Sequence, residues 1–104
     1  MYNIEELKKG QEVYMLIHDL NKETATLTRG ILDSFKVVSD RDSICNLAIS
    51  EGSCNCYLMR GVKFDEDKII HVDENMGLAF EMYFCLFDYM KEMENRINKQ
   101  LKSK

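Results

Sequence analysis

Residues 78–101 read LAFEMYFCLFDYMKEMENRINKQL, and this run decides the fold. Ala79, Tyr83, Leu86, Met90, Met93 and Ile97 recur at alternating spacings of four and three, the seam of an amphipathic helix that meets another surface. Phe80, Phe84 and Phe87 add a second apolar stripe that stops halfway. The run predicts one long helix over residues 76–102, its first half laid on its own domain. The half after Met90 is left to face a partner, a second copy or water. At about two turns, that remaining seam is too short to hold a dimer alone, so any assembly also uses the rest of the surface.

Upstream of the helix the apolar period changes from helical to two. Ile4 to Lys9 predicts one helical turn, stopped at Gly10. Val13, Met15 and Ile17 then alternate with Tyr14, Leu16 and His18, a strand that is apolar on both faces. Asp19 to Glu23 is a polar turn. Thr24 to Leu32 and Phe35 to Val38 continue as strand, with Gly30 as the expected bulge or bend. After the charged turn Ser39–Asp42, residues 43–49 and 54–59 read as a hairpin across Ser50-Glu51-Gly52-Ser53. Opposing Ile49 with Cys54, Leu47 with Cys56 and Cys45 with Leu58 makes every pair apolar. Gly61 ends that run, Lys68 to Val72 is a last short strand, and Asp73 or Asn75 is placed to cap the helix. The pattern predicts an α+β domain: a small five-stranded antiparallel barrel of the SH3-like type over residues 1–75, followed by the helix. The alternative is a strongly bent open sheet with the helix across one face.

Composition narrows the class. The 104 residues carry a net charge of −4, no proline and 5 glycines, which suits one globular domain with a modest core. The densest apolar run, Leu78 to Met90, is interrupted by Glu81 and Asp88 and does not read as a membrane span. The N-terminus lacks the pattern of a secretory signal, so the expectation is a soluble cytoplasmic protein. Cys45, Cys54, Cys56 and Cys85 are then expected as free thiols. Acids crowd Asp65 to Glu94 and bases the tail from Lys91, the arrangement a helix dipole favours.

Chemistry is thinly signalled. Cys54 and Cys56 share one strand face, but a zinc site needs four ligands in a tighter arrangement. His18 and His71 have no spacing that pairs either with a cysteine nucleophile. Asp65-Glu66-Asp67 starts like a calcium loop, then has Ile70 where the glycine belongs and Met76 where the closing glutamate belongs. No phosphate loop, dinucleotide fingerprint or nucleophile elbow is present. The expectation is a protein that is not an enzyme and holds no metal or cofactor. Tyr14, Phe35 and Tyr57, with Arg29, Lys36, Arg41, Arg60 and Lys63, form a candidate nucleic-acid face, set against the acidic balance of the whole chain.

The opening NIEELKKGQEVYML, followed by TRGILDSFKV, resembles small phage and mobile-element proteins that lead a short turn into a compact β-barrel. The resemblance covers the chain to about residue 40 and carries over no functional residue. It implies a non-enzymatic accessory protein that binds a host protein and blocks or adapts it, small acidic examples acting on defence nucleases. The expected function is therefore a protein-binding module acting on a host nucleic-acid enzyme. Met90, Met93 and Ile97 would anchor the contact, and Asp65, Glu66, Asp67, Asp73 and Glu74 would steer it. A homodimer through the helix and barrel surface is compatible, and no membrane partner is expected. Two other readings stay open. One is a nucleic-acid-binding barrel using Arg29, Lys36, Arg60 and Lys63. The other is a protein that sequesters a small ligand such as a nucleotide signal.

Overall fold

A computed structural model of the chain describes residues 4–52, 55–64 and 68–102. Val13 and Met15 turn inward from β1 (Glu12–Asp19), as the alternation requires. Asp19 closes the next turn by accepting the backbone N–H groups of Asn21 and Lys22 on Oδ1, both at 3.1 Å. The following strand, β2 (Thr24–Ser39), serves two neighbours. It pairs with β1 from Thr24 to Ile31 and with β3 (Ile44–Glu51) from Ile31 to Ser39.

That double use requires a bend. At Gly30 a Cβ would stand 2.6 Å from Ile49 Cγ2 and 2.9 Å from the Ser50 carbonyl oxygen, so only glycine fits where the strands close up. Gly30 was expected as a bulge or bend; the bulge lies further on, between Leu32 and Ser34, where the Asp33 carboxylate accepts a hydrogen bond from the Ser50 hydroxyl.

The β3–β4 hairpin keeps its two strands and changes its register. In β4 (Asn55–Phe64), Ile49 faces Tyr57 and Ala48 faces Leu58. Ile49 and Leu47 each pair three residues further along β4 than expected, an odd shift that exchanges the faces. Tyr57 and Met59 turn towards the interior, Cys56 is exposed, and Leu58 is 76% exposed. Cys54 lies outside the described residues. Gly61 does not end the strand. With φ +69 it makes a bulge in which Arg60 and Gly61 together oppose Asn46, and its N–H donates to Asn46 Oδ1 at 2.9 Å.

The largest departure is at the run that decides the fold. Residues Leu78–Tyr83 are a sixth strand, β6, hairpinned to β5 (Ile69–Asp73). β6 then pairs with β1, Tyr14 opposite Tyr83 and Asp19 opposite Leu78, and closes the barrel in the order β1-β2-β3-β4-β5-β6. The barrel thus has six strands where five were expected, and it is closed rather than an open sheet. Asp73 does accept a backbone N–H three residues on, from Met76 at 3.1 Å, but within the β5–β6 turn rather than at a helix start. Side-chain capping looks alike in sequence for both.

The interior is built from Met15, Leu32, Ile49, Val62, Ile69 and Met82, all fully buried, with Ile4 and Leu7 of the N-terminal turn packed into the same cluster. The helix α1 is confined to Leu86–Lys102 and buries no residue. Asp88 in its first turn and Lys99 and Lys102 in its last match the helix dipole.

Candidate functional site

The described ion pair between α1 and the barrel centres on one carboxylate. Glu81 stands on the outward face of β6 opposite Leu16, its side chain 14% exposed. Arg96 of α1 grips it with two nitrogens, Nη2 to Oε1 at 2.6 Å and Nη1 to Oε2 at 3.2 Å. Lys68 Nζ donates to Oε1 at 2.8 Å, and His18 Nε2 lies 2.9 Å from Oε2. Burial pushes the Glu81 carboxyl up, but the hydrogen bonds from Arg96, Lys68 and His18 outweigh it and hold its pKa at about 2. An ionised carboxylate only accepts, so the His18 proton facing it sits on Nε2. Arg96 also donates from Nε to Glu92 at 3.1 Å, one turn back on the helix.

Beside this cluster Tyr83 is fully buried, its ring edge-on to Tyr89 of α1 with centroids 5.8 Å apart. Its hydroxyl has no hydrogen-bond partner among the described residues. Burial, with the nearby Glu81 charge, pushes that hydroxyl up to about 12.

These contacts fix which way the helix faces. Tyr89, Glu92, Met93 and Arg96 are half-buried at helical spacing, and the Tyr89 and Arg96 contacts place this side against the barrel. The apolar stripe of Leu86, Phe87, Met90, Ile97 and Leu101 lies to one side of that contact and is uncovered, with Phe87 68%, Met90 59% and Ile97 57% exposed. Of the expected anchors, Met90 and Ile97 are on the open stripe and Met93 is at its inner margin. Phe87, expected to tie the helix to the barrel, does not. Phe80 in β6 is core, and Phe84, half-buried, stacks near Phe64 at 6.3 Å.

Of the acids expected to steer a partner, only Asp73 and Glu74 are among the described residues. Asp65, Glu66 and Asp67 lie outside the described residues. Asp73 is occupied in its turn, and Glu74 beside it is exposed.

The basic candidates divide. Arg29 is on the β1 side of β2, 3.8 Å from Glu12, apart from the others. Lys36 opposes Asn46, and Asn46 opposes Arg60, which sets the three in one row across β2, β3 and β4. Met59, Val62 and Phe64 point inward, so the Gly61 bulge brings Arg60 and Lys63 onto the same outer face. A depression of about 300 Å³ is lined by Phe35, Lys36, Asn46, Leu58 and Arg60. Among the described residues β4 and β5 pair only at Lys63–Ile70 and Phe64–Ile69. Beyond those pairs they part, leaving a second depression of about 350 Å³ lined by Arg60, Lys63, Ile70, His71 and Val72. Burial holds the His71 pKa down, against the pull of Asp73. Its ring lies 5.8 Å from that of Phe80.

Among the described residues no group of three His, Cys, Asp or Glu is placed to hold a metal ion, and no helix is long and apolar enough to cross a membrane. Cys45 is a buried free thiol, and Cys56 and Cys85 are exposed ones. The Glu81 cluster was missed in the sequence, where its one signal is an acid alone within an apolar alternation. No family model, curated protein or solved structure matches the chain.

Proposed function

We propose that this chain is a non-enzymatic protein-binding module that docks a host nucleic-acid enzyme through α1. The supporting observation is a helix fixed to the barrel on one side while its apolar stripe stands uncovered. Leu86, Met90, Ile97 and Leu101 follow the spacing by which a helix fills a groove on a partner. Ordering such a stripe in advance lowers the entropic cost of docking. Phe87 and Met90 are the anchors, since large flexible or aromatic side chains dominate contacts of this kind. The nature of the partner follows from the resemblance of the N-terminal part to phage accessory proteins. A net charge of −4 suits a partner with a basic, nucleic-acid-facing surface.

The test is stoichiometric capture of one partner from host lysate by the wild-type chain, Met90→Glu, Ile97→Glu and the control Lys91→Ala, with light scattering on each protein alone. Wild type and Lys91→Ala retain the partner, and the two stripe variants lose it at least tenfold. All four melt alike, because the altered side chains are exposed. Equal capture by the stripe variants contradicts the assignment. So does a loss confined to self-association, which would make a second copy the occupant.

A further inference from the structure

The face formed by β2, β3 and β4 carries three cations in a chain that is acidic as a whole. Lys36 and Arg60 sit two strands apart, about 10 Å at ordinary strand spacing. Lys63 follows Arg60 along β4 on the same face because of the Gly61 bulge. No described ion pair involves any of the three, whereas Lys68, Arg29 and Arg96 are each within reach of a carboxylate. No acidic side chain is among the described residues lining either depression, although the chain holds 18 acids to 14 lysines and arginines. Each depression also presents an exposed apolar side chain on the outer face, Leu58 in one and Val72 in the other. Cations in a row with flat apolar surface on both flanks match a strand of alternating phosphates and bases.

We propose that this face binds single-stranded nucleic acid, with Lys36, Arg60 and Lys63 on successive phosphates and Leu58 and Val72 each against a base. The small area fits a short segment of a few nucleotides, held without readout of sequence. The site shares no residue with α1 and does not depend on the docking role of the helix.

Fluorescence anisotropy of a labelled oligothymidylate tests it, titrated at low salt and again at higher salt. Three phosphate contacts give a slope of log affinity against log salt of about −2 for a single strand. Arg60→Ala and Lys63→Ala each weaken binding roughly five- to tenfold and shallow that slope by about 0.7. Leu58→Ser weakens it with the slope unchanged, a result that charge alone does not give. Lys91→Ala on α1 leaves binding as in wild type. The proposal is overturned if the oligonucleotide does not bind at low salt, or if the Arg60 and Lys63 variants bind it as wild type does. It is also overturned if polyglutamate competes as well as the oligonucleotide, since the face would then be one for acidic protein.

Discussion

The wall of β1 and β6 and the wall of β2, β3 and β4 treat charge in opposite ways. On the first, Glu81 gathers Arg96, Lys68 and His18 within 3.2 Å and is largely covered. On the second, Lys36, Arg60 and Lys63 stand exposed with no described carboxylate against them. A covered carboxylate needs its partners, because losing them leaves a desolvated charge. An exposed cation contributes little to the fold and remains available to a ligand. The first wall therefore holds the molecule together, and the second is free to bind.

Glu81→Ala is the strongest way to break this contrast. It releases Arg96, Lys68 and the helix together and is expected to cost about 3 kcal/mol in urea unfolding. Alanine at Lys36, Arg60 or Lys63 is expected to change stability by no more than about 0.5 kcal/mol. Equal costs on the two walls would end the distinction.

Acid sharpens it next. The Glu81 carboxyl titrates at about 2 in the fold against an ordinary value of 4.5. Its contribution is fully present above pH 4.5 and disappears as the pH falls towards 2. Allowing for its exposed edge, that contribution is about 2 kcal/mol. In Glu81→Gln this part of the acid dependence is absent, which acid titration of the circular dichroism signal measures.

A smaller effect of opposite sign lies next to it. Tyr83→Phe removes a buried hydroxyl that has no described partner, and it is expected to leave stability unchanged or raise it by up to about 1 kcal/mol. A loss comparable to that of Glu81→Ala would mean that the hydroxyl is bonded. Native-state alkylation changes no stability but checks the β3–β4 register. Cys56 and Cys85 react quickly and Cys45 only on unfolding, as peptide mapping would record.

How much of this was legible follows from where two patterns overlapped. β1 and the turns at Asp19 and Ser39 were legible because period two and turn residues agreed there. β6 was not. Ala79, Tyr83, Leu86 and Met90 fit a helical seam, while Leu78, Phe80 and Met82 fit a strand equally well. Apolar residues at nearly every position hide the period, and the turn residues Asp73 and Gly77 suit a hairpin as well as a helix start. The β4 register failed for a related reason. Cys56 and Leu58 are as apolar as Tyr57 and Met59, so pairing alone did not choose a face. Lys36, Arg60 and Lys63 were legible as residue types, but their common face depends on the bulge at Gly61. The Glu81 cluster draws on β1, the residue just before β5, β6 and α1, and no local pattern joins those four.

The central claim is that residues 78–83 close the barrel and that the helix begins only at Leu86. Nuclear magnetic resonance of the labelled protein tests it directly. Extended chemical shifts from Leu78 to Tyr83, with cross-strand contacts between Ile17 and Phe80, are the predicted result, and helical shifts start at Leu86. Continuous helical shifts from Leu78 onward, without those contacts, would remove the sixth strand, the Glu81 cluster and the fixed helix together.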